Sequence, residues 1–196
     1  GKASKLRHLW QSPFTLHSRL IKAINHEAEM AKAGKKARII AKMNALLDAD
    51  IIRALYDASA AGVKIDLIVR GVCALRPGIP GVSDNITVRS IVGRFLEHTR
   101  IFYFYNNNEE NVFMASADWM YRNFFRRIEV CFPLLDQKVK KRVIKEGLEP
   151  YLKDNLSAWE MQPDSTYRRR PTRRGSEFSA QHYLMSELGQ DILTEL

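Results

Sequence analysis

RIIAKMNALLDADIIRALYDASAAGVKIDLIVRG, residues 38–71, is the stretch whose reading decides the fold. It opens with Arg38-Ile39-Ile40-Ala41-Lys42-Met43-Asn44, a short apolar run that reads as a strand. Asp48 and Asp50 follow, where a helix start favours acidic side chains, and Ile51, Leu55 and Ala58 recur at helical spacing until Gly62. Directly after it, Val63-Lys64-Ile65-Asp66-Leu67-Ile68-Val69-Arg70-Gly71 is the mostly apolar run of a strand covered on both faces. Strand, helix and strand at this spacing make a βαβ unit, so the sheet contains parallel neighbours. Arg70 falls at the carboxyl end of the second strand, the edge where ligands of parallel sheets collect.

Working toward the amino end, Ser12-Pro13-Phe14-Thr15 reads as a helix entry with Thr15 as N-cap. Leu16, Leu20, Ile21, Ile24 and Ala28 then keep helical spacing, and Gly34 is the stop. Working toward the carboxyl end, Gly78-Ile79-Pro80-Gly81 is a turn and residues 86–92 hold a short strand. Arg100-Ile101-Phe102-Tyr103-Phe104-Tyr105, the turn Asn106-Asn107-Asn108 and Val112-Phe113-Met114-Ala115 read as a hairpin. Alternation puts the four aromatic rings of that first strand into sheet packing. Residues 127–133 form a further strand stopped by Pro133. Residues 137–154 read as one helix, with Val139, Val143, Leu148 and Leu152 on its apolar face. Lys138, Lys140, Lys141, Arg142 and Lys145 form the wet face. Residues 159–175, with the run Arg168-Arg169-Arg170-Pro171-Thr172-Arg173-Arg174, read as irregular, and 178–193 as a closing helix. The expectation is an α/β domain over 1–155, a mixed sheet flanked by helices, followed by a basic tail over 156–196.

The length of 196 residues and 45% hydrophobic content suit one core-forming domain with a tail. No apolar run approaches the roughly 20 residues that span a bilayer. Gly1-Lys2-Ala3-Ser4-Lys5 leads into no apolar segment, so no secretory leader is expected. Cys73 and Cys131 both lie in apolar contexts and read as buried, reduced thiols of a cytoplasmic protein. The formal charge is +9, and the first hundred residues carry the whole excess, with 17 basic against 8 acidic side chains. Such a field attracts polyanions: nucleic acid, nucleotides, membrane surface or inorganic phosphate chains.

The sequence contains no GxxxxGK[ST] loop, no GxGxxG after a strand, no HExxH and no clustered Cys/His motif. Of the five histidines, His8, His17, His26 and His182 read as surface or packing residues. His98 stands apart, because Gly93-Arg94-Phe95-Leu96-Glu97-His98-Thr99-Arg100 leads straight into the strongest strand. Histidine two residues before arginine, entering a strand, puts both side chains on one face at the sheet's end. An imidazole moves protons near neutrality, and a guanidinium is a fixed fork for phosphate oxygens.

With Ala115-Ser116-Ala117-Asp118-Trp119-Met120-Tyr121-Arg122-Asn123 downstream, and Glu129 on the next strand, this resembles the second half of a phospholipase-D-superfamily site. That pattern has a His-x-Lys strand, a Gly-Ser-x-Asn turn and a strand bearing an acidic residue. Here Arg100 replaces the lysine, Ala115 the glycine and Asp118 the asparagine, while the family's trailing aspartate falls on Tyr105. A closer resemblance covers about Leu9 to Pro133, to the C-terminal part of the bacterial-type polyphosphate kinases that use a phosphohistidine. It is carried by Ser12-Pro13-Phe14-Thr15, Met43-Asn44-Ala45-Leu46, Leu67-Ile68-Val69-Arg70-Gly71 and Arg76-Pro77-Gly78. It continues in Arg89-Ser90-Ile91-Val92, Arg94-Phe95-Leu96-Glu97-His98 and Ser116-Ala117-Asp118-Trp119-Met120.

The resemblance implies a phospholipase-D-like α/β domain, the last of two in tandem within a longer chain. It implies reversible transfer of the ATP γ-phosphoryl group to polyphosphate with Mg²⁺, in a cytoplasmic homo-oligomer with a possible peripheral membrane association and no specific nucleic acid. The phosphate-accepting histidine of the family lies in the preceding domain, and no segment here matches its motif. Arg70 and His98 match the family's ATP-contacting residues, His98 being its second catalytic histidine. Arg100, Asp118 and Arg122 are further candidates, and no metal ligand is implied in this chain. Two other readings stay open: a stand-alone phospholipase-D-like phosphodiesterase, and a non-catalytic polyanion-binding module. The Arg168–Arg174 run is a candidate track for polyphosphate, or simply a solvated run.

Overall fold

Ile39, Ala41 and Met43 point to one side of their strand and Ile40 and Lys42 to the other, and two helical layers form accordingly. The computed structural model describes residues 6–172 and 174–194. The chain begins with β1 (Trp10–Gln11) and α1 (Leu16–Lys32). The βαβ unit follows as β2 (Arg38–Met43), α2 (Ala49–Ala60) and β3 (Lys64–Val69). β2 and β3 are parallel and in register from Arg38 opposite Lys64 to Met43 opposite Val69. Asp48 caps α2, its Oδ1 accepting the N–H of Ile51, and Gly62 ends that helix at φ 99°.

Next come β4 (Ile86–Ile91), β5 (Ile101–Phe104), β6 (Asn111–Ala115), α3 (Tyr121–Phe125) and β7 (Val130–Pro133). The remainder is α4 (Gln137–Gly147), α5 (Glu149–Lys153), β8 (Ala158–Met161), β9 (Tyr167–Arg169) and α6 (Ala180–Thr194). The strands make one mixed nine-stranded sheet in the order β1-β7-β6-β5-β2-β3-β4-β8-β9. Helices α1 and α2 cover one face through Leu16, Leu20, Ile24, Ile51, Leu55 and Ala58. On the other face Leu148, Tyr151 and Ala180, from the α4–α5 junction, α5 and α6, cover Ile40, Ile68, Ile101 and Tyr103. Phe102 and Phe104 enter the first core and Tyr103 the second, as alternation requires.

Several local readings are corrected. Thr15 does not cap α1 through its side chain; its Oγ1 instead accepts the N–H of Gln11. The single helix over 137–154 is two, because Pro150 lacks an N–H and its ring crowds the carbonyl one turn back. Lys140 is turned inward, its Nζ donating to the carbonyl of Glu109, whereas Val139 is exposed. The 127–133 strand starts only at Val130, because Glu129 is drawn inside by side-chain hydrogen bonds. Residues 159–175, read as irregular, contain two strands: β8 pairs with the open edge of β4 and β9 with β8. Too short to declare themselves by pattern, these strands are fixed by a partner edge.

The arginine run is divided. Arg169 donates to the carbonyl of Leu156, and Arg170 to those of Leu152 and Asp154. Arg170 thereby ties the hairpin to the end of α5, and Arg169 ties it to the loop that follows. Arg173 and the first five residues lie outside the described residues. Cys73 is half-buried and Cys131 buried, both free. Burial pushes the Cys73 thiol up to about 11 and that of Cys131 further. No helix among the described residues is long and apolar enough to cross a membrane.

Candidate active site

At the carboxyl ends of β2 and β3 the backbone of residues 44–48 is laced to its neighbours on both sides. Leu46 N donates to the Val72 carbonyl, Gly71 N to that of Asn44, and Trp119 N to that of Ala45. Gly71 is needed there, since a Cβ would lie 2.9 Å from the Asn44 carbonyl oxygen. These segments floor a cleft of about 740 Å³. Its walls come from the ends of β3 and β6, the loop before β5, and the turn containing α3.

Arg70, His98, Arg100, Asp118 and Arg122 all line this one cleft, although 52 positions separate the first from the last. Their roles differ by their partners. Asp118 is buried; its Oδ1 accepts from Asn44 N at 2.7 Å and Arg100 Nε at 3.1 Å, and its Oδ2 accepts from Arg100 Nη2 at 3.0 Å. This is a bidentate pair with side chains 11% and 10% exposed. Arg100 Nη1 also reaches His98, lying 3.1 Å from Nδ1 and 3.0 Å from the carbonyl oxygen. A guanidinium only donates, so this contact makes Nδ1 the acceptor and leaves the proton of the neutral ring on Nε2. His98 is exposed on the cleft side, and its free N–H is therefore a donor.

Arg70, Arg122 and Arg127 also line the cleft, and among the described residues their guanidinium groups have no hydrogen-bond or ion-pair partner. Unpaired guanidinium groups around a concave surface, with a histidine N–H beside them, suit phosphate oxygens. The opposing carboxylates are both engaged: Asp118 as above, and Glu129 by the Ser116 hydroxyl and by Asn123 Nδ2 at 2.8 Å.

A resident Mg²⁺ does not fit this donor set, since four arginines line the cleft and both carboxylates already hold other donors. Elsewhere, His17, Asp48 and Asp50 have potential ligand atoms within 4.8 Å of one another. There Asp48 Oδ1 already accepts from His17 Nε2 and Ile51 N, and Asp50 pairs with Arg53.

Arg127, Ser116, Asn123 and Glu129 line the cleft as well; the sequence reading held Ser116, Asn123 and Glu129 only as part of the phospholipase-D-like pattern and named none of the four as a candidate. Glu129 carried a signal, a lone acidic residue between Ile128 and Val130 in an apolar run. Arg127 carried none, because one more arginine in a basic chain is unremarked until folding points it inward.

Residues 9–181 match the family described as polyphosphate kinase C-terminal domain 2. The polyphosphate kinase of Paraburkholderia phytofirmans is 63% identical over 190 residues, 97% of this chain and 27% of that protein. That of Burkholderia lata is 66% identical over 170 residues, 87% of this chain and 25% of that protein. The chain thus spans about a quarter of the length of these curated relatives. The crystal structure of polyphosphate kinase from Porphyromonas gingivalis superposes with a TM-score of 0.92 at 36% identity, over 99% of this chain and 30% of that one. A phospholipase D family member from Salmonella typhimurium superposes with a TM-score of 0.56 at 13% identity, over 79% of this chain, a likeness of fold alone.

Proposed function

Because the chain belongs to the polyphosphate kinase family through its C-terminal domain 2, we propose that the arginine-lined cleft binds phosphoryl groups in ATP-dependent synthesis and breakdown of polyphosphate. The observation that carries this reading is the convergence of Arg70, His98, Arg122 and Arg127 on one cleft with uncommitted N–H donors. In this reading Arg70 grips phosphate oxygens at the carboxyl end of β3. His98 donates from Nε2 to the oxygen that gains charge as the phosphoryl group moves. Arg122 and Arg127 supply further positive charge on the opposite wall. Arg100 and Asp118, first read as ligand contacts, act behind His98: the carboxylate holds the guanidinium, which holds the ring. Phosphoryl transfer depends chiefly on positioning and charge stabilisation, and this equipment supplies both.

The covalent nucleophile of the reaction is assigned to another part of the longer enzyme, since His98 presents a protonated nitrogen to the cleft. ATP or ADP and polyphosphate are the substrates, with Mg²⁺ entering as the companion of the nucleotide phosphates. A cytoplasmic homo-oligomer without specific nucleic-acid binding belongs to the same proposal. So does the division at residue 155, in a functional sense: every cleft side chain comes from 1–155, and 156–196 buttresses the loop before β5.

The test is His98→Ala and Arg70→Ala in a full-length polyphosphate kinase carrying this sequence. Loss of one transition-state contact is expected to lower synthesis about 10²–10³-fold. Near-normal turnover in either variant removes that residue from the site. The isolated chain, given γ-labelled ATP and Mg²⁺, is expected to retain no label. Acid-labile label that disappears in His98→Ala would instead make His98 the nucleophile, as in a phospholipase-D-type enzyme.

A further inference from the structure

His98 lies on a loop, residues 92–100, that has no regular structure and exposes Val92, Phe95 and Leu96. Beneath that loop is a buried polar cluster that nothing in the phosphate-binding reading uses. Lys42, on the β2 face opposite α1 and α2, is 3% exposed. Its Nζ donates to Glu97 Oε2 at 2.9 Å and to Thr99 Oγ1 at 3.2 Å. One ammonium therefore holds the residues immediately before and after His98. Its charge also lies 3.6 Å from the ring centroid of Tyr151 in α5.

Glu97 is satisfied from the helical side as well. The Tyr151 hydroxyl lies 3.0 Å from both carboxylate oxygens, and Gln181 Nε2 in α6 donates to Oε1 at 2.9 Å. Gln181 further grips the loop at Phe95, accepting its N–H at 3.0 Å and donating to its carbonyl at 2.9 Å. The fit is close, since a Cβ at Gly93 would run into Gln181 Oε1. A solvated loop needs no such anchorage. Taking an ammonium and a carboxylate out of water is expensive and is repaid only by good geometry with every donor and acceptor met.

We propose that the Lys42–Glu97 pair, locked by Tyr151 and Gln181, is the positioning device for His98. Lys42 and Gln181 fix the loop backbone on both sides of the histidine, and Arg100 then fixes its ring. The 156–196 segment, through Gln181, is in consequence part of the active-site scaffold. This rests on the reading of His98 as the donor to phosphate, and its test separates the two.

The variant is Lys42→Met with Glu97→Gln, which removes both buried charges together and leaves Tyr151 and Gln181 an amide to bond. In the 196-residue chain, imidazole nitrogen NMR is expected to show His98 wild type as the single Nε2–H tautomer. In the double variant it is expected to show exchange between tautomers. In full-length enzyme, kcat is expected to fall about 10²-fold through misplacement of the group, with KM within about twofold because uniform binding is untouched. Tyr151→Phe, which deletes one hydroxyl, is expected to give a smaller kcat loss in the same direction, and it decides the matter if the double variant does not fold. A folded double variant with the wild-type tautomer and kcat, or an unchanged Tyr151→Phe, would overturn the proposal. If His98→Ala itself keeps full activity, the phosphate reading fails, while the tautomer measurement still judges the positioning claim.

Discussion

Deleting the carboxylate of Asp118 removes what holds the cleft together. In Asp118→Ala, Arg100 keeps its charge with a side chain only 11% exposed, and its bidentate partner is gone. The N–H of Asn44 also loses its acceptor at 2.7 Å. Removing one member of a buried ion pair costs about 3–5 kcal/mol, because the survivor stays buried and uncompensated. The cleft admits water along one side of Arg100, so the lower end applies, about 3 kcal/mol. Each kcal/mol moves the midpoint of a chain this size by about 2–4 °C, so Tm is expected to fall by about 6–12 °C.

Thermal unfolding followed by far-ultraviolet circular dichroism, with a urea series at constant m-value, measures this. Arg100→Met combined with Asp118→Ala is expected to recover much of the loss, since no charge is then stranded. Arg53→Ala, removing a pair whose side chains are 72% and 62% exposed, is the control and is expected to leave Tm unchanged. An Asp118→Ala protein melting with the wild type would refute the argument that this pair is desolvated and structural. A double variant melting below the single one would refute the stranded-charge account.

Three other outcomes are expected. ATP or polyphosphate should bind the chain more tightly at low than at high salt, because exposed cations such as Arg122 and Arg127 are screened over about 8–10 Å at physiological ionic strength; equal affinities in calorimetric titrations would contradict it. Gly71→Ala is expected to destabilise by about 1–3 kcal/mol, since its Cβ meets backbone rather than a yielding side chain, whereas Gly189→Ala in α6, with open space around it, should be neutral or stabilising on urea denaturation. Burial raises the Glu27 carboxyl above its ordinary 4.5, against hydrogen bonds from the N–H groups of Asn106 and Arg38. The folded state thus binds that proton more tightly than the unfolded chain, so this group adds stability as pH falls from the raised value toward 4.5. Urea midpoints across that range should show the gain in wild type and not in Glu27→Gln; a larger acid gain in the variant would reverse the sign.

The order of residues along the chain determined, without any coordinates, what depends on near neighbours. The βαβ unit of 38–71 was legible because apolar spacing, an acidic helix start and Gly62 all agree over one short stretch. The hairpin of β5 and β6 was legible from an aromatic run and three asparagines, and Arg70 from its place at a strand's carboxyl end. That Arg70 and His98 would meet was legible through their match to a known family, and Arg100 and Asp118 through a pattern in which they stand as replacements; Arg122 had no such match, and no spacing in the chain requires the gathering.

Tertiary structure decided what depends on partners distant in sequence. β8 became a strand because β4 offered it an edge, and Arg169 and Arg170 were drawn to carbonyls at the end of α5 and in the loop after it. Lys140 has nothing in its neighbourhood that distinguishes it from the wet lysines beside it, and Lys42 stands alone in the apolar run 39–43 with no nearby residue to name its partner. Each is buried because folding brings an oxygen to it, the Glu109 carbonyl for one and the Glu97 carboxylate for the other. Arg100 was drawn to the Asp118 carboxylate and to His98 by the same means. A charged side chain is placed by whichever partner can meet its hydrogen bonds out of water, and only the folded chain says which partner that is.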